Sequence, residues 1–560
     1  MREIPGDIAE TEFDAIVIGA GINGAGVARD AAMRGLRVLV LEKEDVSSGT
    51  SAWSTRLIHG GLRYLEHGEV GLVRESLRER ERLFRIAPHL VRPLPMLIPL
   101  YADGRRKPLV VRAGMIAYDL LSFDKSLARH RMLTPAETLL RAPGLRREGL
   151  RGAALYYDAQ VEFAERLVLE NALSARAHGA TFLTYARVER LSIEKGRVCG
   201  VEFGDALGGG KYRAHARVVL NVAGPWVDEV LRGGSNGGAA SASPPLRKLI
   251  GGTKGSHLVV GEFACAPRVA LYTEAREDGR PFFIIPWNGR FLIGTTDTRF
   301  DGDLDAVETD EHEIAYLLRE TNRVLPRAGL TREAILQTYS GVRPLARRAS
   351  GAEASVTRRH FIREHDGALD GLVSIVGGKL TTYRNLSEQA VDLLFKRLER
   401  RSPPCATARE PLPGAATVGG EDFKSFCARF KAESPLHAHA SERLLRIYGT
   451  RAADVLATAR DESALLAPLS EATGAIGAEI IFSFRQEMAG TLTDCLWRRT
   501  MSGLSSASAG FAEAEAAARI AQQHLGWDAP RAAREVADYR SYAAKRMSKG
   551  KGEKGEMVKG

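Results

Sequence analysis

Short apolar runs alternate with amphipathic stretches along most of the chain. Ala15–Ile18 is uninterrupted apolar sequence, the pattern of a strand buried on both faces. It enters Gly19-x-Gly21-x-x-Gly24, then a small-residue stretch suited to a helix, then a second apolar run, Val38–Leu41, that ends at Glu42. Arg74–Ala87 carries Leu77, Leu83 and Phe84 among many charges and predicts a surface helix. Tyr156–His178 predicts one long helix, with Phe163, Leu167 and Leu169 among its apolar positions. Strands are expected over Thr181–Leu191 and Val198–Phe203, with a hairpin turn at Gly208–Gly210 before Tyr212. Arg217–Val222 reads as another buried strand, ending at Ala223-Gly224-Pro225, and strands resume at His257–Val260, Phe282–Pro286, Phe291–Thr295 and Ile335–Tyr339. This alternation, sustained to roughly residue 395, predicts an α/β architecture.

Two segments interrupt the pattern. Residues 232–245 read as a flexible loop or insertion, and residues 401–420, rich in Pro, Gly and Ala, as a linker. Beyond the linker the pattern turns helical. Ile481, Phe484, Met488, Leu492 and Cys495 recur at spacings of three and four, which predicts one apolar helix face belonging to a core. The basic stretch 541–560 is expected to be disordered, with a membrane tether as the alternative. A chain of 560 residues has material for two or three domains, and 44% hydrophobic with 26% charged residues fits a soluble protein. No run approaches the roughly 18 apolar residues of a membrane span. The N-terminus lacks a hydrophobic signal region, so an intracellular protein is expected. The five cysteines are scattered without metal-ligand spacing and read as small buried hydrophobes, so no metal is expected.

The strand–glycine–helix–strand unit carries the first chemistry. Gly19 allows the tight turn, Gly21 lets the backbone approach a pyrophosphate, and Gly24 lets helix and strand pack closely. The helix N-terminus offers free N–H groups to phosphate. Glu42 sits where a carboxylate accepts a ribose 2′-hydroxyl, which disfavours a 2′-phosphate. This is a dinucleotide site, and the motif alone does not separate FAD from NAD. The hydroxyl- and glycine-rich stretch 47–69 suits a loop around a phosphate or flavin rim better than the second βα unit of an NAD enzyme. A net charge of +10 and a pI near 9.3 favour an anionic partner: a phosphorylated substrate, an acidic membrane face or nucleic acid. The basic residues are spread along the chain and no nucleic-acid module is visible, so nucleic acid is not expected.

Longer blocks then agree in order: GAGINGAGVARDAA with LIHGGLRYLE, NVAGPWVD (221–228), KGSHLVV (254–260), IIPWNGRFLIGTTDT (284–298), TYSGVRPLA (338–346), GGKLTTYR (377–384) and DCLWRRT (494–500). Together they resemble the FAD-dependent, quinone-linked glycerol-3-phosphate dehydrogenases, of the glycine/D-amino-acid oxidase-like flavoprotein superfamily, over nearly the whole chain. The resemblance implies a glutathione-reductase-like Rossmann FAD domain within residues 12–400, interleaved with a β-rich substrate cap at roughly 91–155 and 258–345. A helical C-terminal domain over 421–540 comes after the linker. It implies that Gly19, Gly21, Gly24 and Glu42 hold the ADP half of FAD, with Val188 at the adenine and Ala223-Gly224 closing a second nucleotide segment. Ser48, Thr50, Ser51, His59, Gly60 and Gly61 would line the pyrophosphate and flavin, and Gly378, Lys379, Leu380 and Thr381 would border the isoalloxazine. His257, Arg343 and Lys379 are the implied catalytic set, and Arg63, Tyr64 and Arg358 the implied substrate contacts. Arginine suits a phosphate because its planar fork binds bidentately, and a neutral histidine suits a base near physiological pH. Trp53 departs from the pattern, which has small residues there, and Arg347-Arg348 stand where acidic residues are common.

The activity implied by this resemblance is oxidation of sn-glycerol 3-phosphate to dihydroxyacetone phosphate by hydride transfer to FAD, with electrons passed to a quinone. A lipid-soluble acceptor implies peripheral association with the anionic cytoplasmic face of a membrane. The alternatives are an oxygen-using oxidase of the same fold, an amine or amino-acid oxidase of the superfamily, and a non-catalytic flavin-binding protein. The sequence does not set the oligomeric state; a homodimer is carried as an expectation.

Overall fold

The Ala15–Ile18 run lies at the centre of a mainly parallel sheet in a computed structural model that describes residues 3–66, 68–235, 248–347, 359–417, 419–470 and 473–547. Strand Glu12–Ile18 pairs in parallel with Lys211–Asn221 on one side and Val38–Leu41 on the other. Leu372–Val376 and Thr181–Leu183 extend the sheet outward, again in parallel. Both faces are covered, as parallel strands require. On one, Val17, Val38 and Leu220 pack with Ala28, Leu167, Leu386 and Leu394 from helices Ile22–Met33, Ala164–Ala177 and Tyr383–Arg397. On the other, Ile16, Leu39 and Val219 meet Val201 and Phe203 of the antiparallel hairpin Ala186–Glu194/Arg197–Asp205.

A second, ten-stranded sheet forms the cap. Its long antiparallel pair is Val91–Tyr101 with Leu150–Val161, and Thr253–Val260 pairs antiparallel with both Arg290–Gly294 and Ile335–Arg343. Leu150–Val161 corrects the single helix expected over Tyr156–His178: the segment is a cap strand to Val161, and the helix begins at Ala164. This strand-to-helix junction, with the pairing of Leu57–Ile58 onto Gln160 and Ala159, ties the cap sheet to the parallel layer.

From Phe423 the chain is helical. The single face expected from Ile481 to Cys495 is broken: a helix covers Gly477–Gln486, Met488 takes a positive φ of 60°, and a π-helical turn covers Asp494–Arg499. At the break stands Glu487, whose buried carboxylate accepts from Arg166 Nη1 and Nη2 at 2.6 and 2.9 Å. The expected linker is packed rather than loose, since Arg29 Nη2 donates to the Glu410 carbonyl at 2.7 Å and Leu412 is fully buried. Residues 541–547 are ordered, contrary to expectation: helix Ala529–Ala544 takes in 541–544, and the Arg546 carbonyl accepts from Thr338 N–H at 2.9 Å. Of the expected insertion, 232–235 lie in helix Val227–Ser235 and 236–245 lie outside the described residues, as do 548–560. Among the described residues no helix is long and apolar enough to cross a membrane.

Candidate functional site

One cavity of about 920 Å3 runs between the parallel sheet, the cap and the C-terminal helices. It lies at the upper end of the roughly 300–1,000 Å3 usual for small-molecule sites. Its first end is the glycine loop. Gly19 has φ +105°, and a Cβ there would meet the Val222 carbonyl oxygen at 2.8 Å. A Cβ on Gly24 would lie 1.9 Å from the Gly19 carbonyl oxygen, so helix and strand are in backbone contact. Gly21 is less confined; a Cβ there would meet only Ser51 Oγ, at 3.2 Å. The helix that starts at Ile22 has no acid in its first turn, and its Ile22 N–H donates to Ser51 Oγ at 3.0 Å. Glu42 accepts from Ala20 N–H at 2.7 Å and from Glu44 N–H at 3.1 Å. Burial pushes its carboxyl above the usual range despite those two donors.

Gly19, Gly21, Glu42, Ser48, Thr50, Ser51, Val188, Ala223 and Gly224 all line this cavity, and Gly378, Lys379 and Leu380 line its other end. The residues fit a dinucleotide: a helix N-terminus without a competing acid, a glycine cradle that a side chain would fill, and an acid at the end of the second strand.

The distal end is assembled from remote segments. The positive-φ pair Gly377 and Gly378 turns the chain from strand Leu372–Val376 toward helix Tyr383–Arg397 and presents Lys379. Lys379 Nζ stands 3.7 Å from the centre of the Tyr64 ring. Tyr339 lines the cavity, and His257 stacks behind it with ring centres 4.8 Å apart. His257 Nε2 is 2.9 Å from Thr55 Oγ1, and its Nδ1 has no hydrogen-bond partner among the described residues. Burial first, then the charges of Arg343 and Arg56, hold its pKa well below the ordinary histidine value, so the ring is neutral.

Several expected lining residues stand one layer back. Arg343 donates to Asp297 Oδ1 at 3.1 Å and to Thr295 Oγ1 at 3.0 Å. His59 N–H donates to the buried Thr381 hydroxyl at 3.2 Å, and Gly60 N–H to Tyr118 Oη at 3.0 Å. Gly61 makes room for the Tyr64 ring, since a Cβ there would lie 2.1 Å from Tyr64 Cε2. Gly24 likewise serves packing. The side chain of Arg63, and Arg358 altogether, lie outside the described residues.

Sequence reasoning misses part of the wall. Lys43 lies 4.1 Å over the Trp226 ring, and both bond Asp305, which closes the nucleotide end. The signal for Trp226 was its place in the matching block 221–228. Tyr542, Lys545 and Arg546 also line the cavity, with no local signal to announce them. Below the Ser48–Ser51 loop, Asp45 is fully buried and accepts from Arg498 Nε at 2.6 Å and from Arg499 at 2.7 Å through both oxygens. Burial alone would raise this carboxyl; the two arginines hold it below the usual range. Elsewhere, Glu194, Cys199 and His215 bring one ligand atom each within 4.8 Å of one another, a trio that the cysteine spacing gives no reason to expect.

The comparisons agree with this geometry. Residues 14–384 match the FAD dependent oxidoreductase family, and residues 405–532 match the C-terminal domain of alpha-glycerophosphate oxidase. The chain is 46% identical over 97% of its length to a glycerol-3-phosphate dehydrogenase of Synechocystis sp., covering 98% of that protein. It is 37% identical over 94% of its length to glycerol-3-phosphate dehydrogenase 2 of Mycobacterium bovis, covering 87% of it. Its fold superposes on the glycerol-3-phosphate dehydrogenase of Bacillus halodurans, solved in complex with FAD, with a TM-score of 0.77 at 30% identity, covering 97% of this chain and 96% of that one. The chain belongs to the FAD-dependent oxidoreductase family, in its glycerol-3-phosphate dehydrogenase branch.

Proposed function

We propose that the chain oxidises sn-glycerol 3-phosphate to dihydroxyacetone phosphate with bound FAD and delivers the electrons to a quinone at an anionic membrane surface. The observation that carries this reading is the shared cavity: Lys379 lines the same space as the glycine loop. Bound FAD supplies the acceptor for the hydride that leaves C2. The chain supplies the rest. Lys379 and Arg343, with Arg63 and Arg358, provide cations for a dianionic phosphate. His257, kept neutral, is the group that takes the C2 hydroxyl proton. Its ring stacks on Tyr339, which lines the cavity. Anaerobic addition of glycerol 3-phosphate to the purified yellow protein tests the reading. Bleaching of the flavin is expected, and no bleaching overturns it.

The membrane part rests on the cap helix Pro108–Leu121. Val111, Met115 and Tyr118 turn inward, and the Tyr118 hydroxyl reaches Gly60 N–H. Leu109, Leu120 and Phe123 face outward at 79, 69 and 78% exposure, more than any other large apolar residues described except Leu140. Exposed Arg105, Lys107, Arg112 and Arg129 flank them. An apolar ridge with a basic rim suits an anionic lipid interface. Binding to anionic vesicles should weaken with salt. Replacing Leu109 and Phe123 by serine should cost up to about 1.5–3 kcal/mol each. Vesicle binding that ignores both changes removes this surface from the proposal. Faster reoxidation by oxygen than by quinone analogues favours the oxidase reading.

A further inference from the structure

The C-terminal arm is anchored at several points and then turns onto the cavity. Tyr539 Oη donates to the Ala509 carbonyl at 2.5 Å. Arg498 Nη1 donates to Tyr542 Oη at 3.3 Å, and the Tyr542 ring meets Trp497 edge-on at 5.4 Å. Past the helix end at Ala544, the Arg546 carbonyl takes the Thr338 N–H and Met547 bridges Gln337, so the arm lies along the free edge of strand Ile335–Arg343. That edge position brings Tyr542, Lys545 and Arg546 into the lining shared with Ile22 and Ser48–Ser51.

Arg546 is held there among aromatic rings. Its guanidinium carbon lies 3.6 Å from the centre of the Tyr542 ring and 4.9 Å from that of Trp53. Trp53 in turn donates from Nε1 to the Ser48 carbonyl at 3.1 Å, which joins the stack to the hydroxyl loop. The guanidinium donates to one carbonyl, that of Tyr542, at 2.8 Å. Among the described residues no carboxylate pairs with Arg546 or Lys545, whereas Arg498, one helix away, has two. Stacking uses the faces of a guanidinium and leaves its in-plane N–H groups for an anion. The bulk of Trp53 gives the arm a surface to pack on.

We propose that Arg546 is a cofactor-retaining residue: the arm carries its guanidinium onto the wall beside the Ser48–Ser51 loop, where it holds the negative charge of the bound dinucleotide. This rests on the cavity being the FAD site. The test reconstitutes the full-length apoprotein with FAD and follows flavin fluorescence. Arg546→Met keeps the stacking bulk and removes the charge; Arg546→Lys keeps the charge and loses the flat faces. Arg546→Met should raise the FAD dissociation constant roughly 10- to 100-fold, as for one lost contact to a charged group. Arg546→Lys should lose less, and the salt dependence of FAD binding should be shallower in Arg546→Met than in the wild type. The melting temperature of the apoprotein should not change, nor should KM for glycerol 3-phosphate at saturating FAD. Unchanged FAD affinity overturns the proposal. So does a change confined to the substrate KM, which would give the cation to the substrate, or an equal loss of apoprotein stability, which would make it structural glue. Trypsin offers a readout in the wild type, since it cuts after Lys545 and Arg546. FAD should slow both cuts, and cleavage that FAD leaves unchanged also overturns the proposal. A wild-type chain that takes up no FAD fails at the cofactor reading, before any variant is made.

Discussion

The two ends of the cavity are built by different means. The nucleotide end comes largely from one stretch, residues 19–51, in which a strand, a turn and a helix succeed one another and Gly19 and Gly24 are fixed by backbone sterics. The distal end is gathered from Thr338–Val342 and Gly377–Leu380, with Arg343, His257 and Tyr64 held around it by side-chain contacts. A backbone-built end should fail abruptly when its shape is changed. A side-chain-built end should fail by degrees, one charge at a time.

The largest contrast is between two neighbouring glycines. A side chain on Gly24 meets backbone at 1.9 Å with nothing able to move, whereas one on Gly21 meets a rotatable serine hydroxyl at 3.2 Å. Gly24→Val should therefore cost more than about 4–5 kcal/mol, at the exceptional end for one substitution, and give a colourless, poorly folded chain. Gly21→Val should fold normally and lose only the flavin, because its side chain takes the space that the pyrophosphate needs. Flavin absorbance and apoprotein melting separate the two. If both variants melt alike, the division into backbone and cradle roles is wrong.

Next in size is the joint between the two ends. Arg499→Met leaves the buried Asp45 carboxylate with Arg498 alone, and breaking such a pair typically costs about 3–5 kcal/mol. Asp45 begins the turn into the Ser48–Ser51 loop, so flavin retention should fall together with stability. A lower melting point with normal flavin content would confine Asp45 to domain docking.

At the distal end, Arg343→Ala should lower kcat/KM for glycerol 3-phosphate by about 2–4 kcal/mol, roughly 30- to 1,000-fold. Unphosphorylated glycerol, a poor substrate throughout, should be affected much less. Arg343→Lys should recover part of the loss, since charge returns without the bidentate fork. Arg343 now spends that fork on Asp297 and Thr295, so substrate must compete with Asp297 for it. Equal losses on both substrates would remove Arg343 from phosphate binding.

The same division explains what is legible in the sequence. Ala15–Glu42 can be read because its interactions are nearly all local. Tyr156–Val161 reads wrongly as helix because a strand covered on both sides runs into a helix within three residues, and the apolar positions of the two merge into one helical pattern. At the break after Gln486, Glu487 meets Arg166, over 300 residues away, which no periodicity reports. The arm reads as disordered because it leads into the basic, glycine-rich stretch 548–560; its order comes from Trp53, Trp497 and the edge of strand Ile335–Arg343, partners invisible to a local window.

The smallest expected effect probes how the distal cations act on the base. His257 is neutral because burial, more than the charges of Arg343 and Arg56, depresses its pKa. Removing Arg343 takes away one depressing charge and leaves the burial. The ring should then accept a proton at a higher pH, though burial should still hold that pH below the ordinary histidine value. Linkage sets the sign for stability. In the unfolded chain the ring takes a proton below about pH 6.5, whereas in the folded chain it takes one only at the lower, depressed value. Between these two values the unfolded state binds more protons, so wild-type stability falls as pH drops below about 6.5, and Arg343→Ala should narrow that window from its acid side. NMR titration of the His257 ring, with and without Arg343, measures the shift directly and avoids the substrate phosphate, which itself titrates near pH 6. A His257 that titrates at the same pH in both proteins would mean that the cation and the base are electrostatically separate. The distal end would then be two independent sites, not the single charged constellation that phosphate binding and proton removal together require.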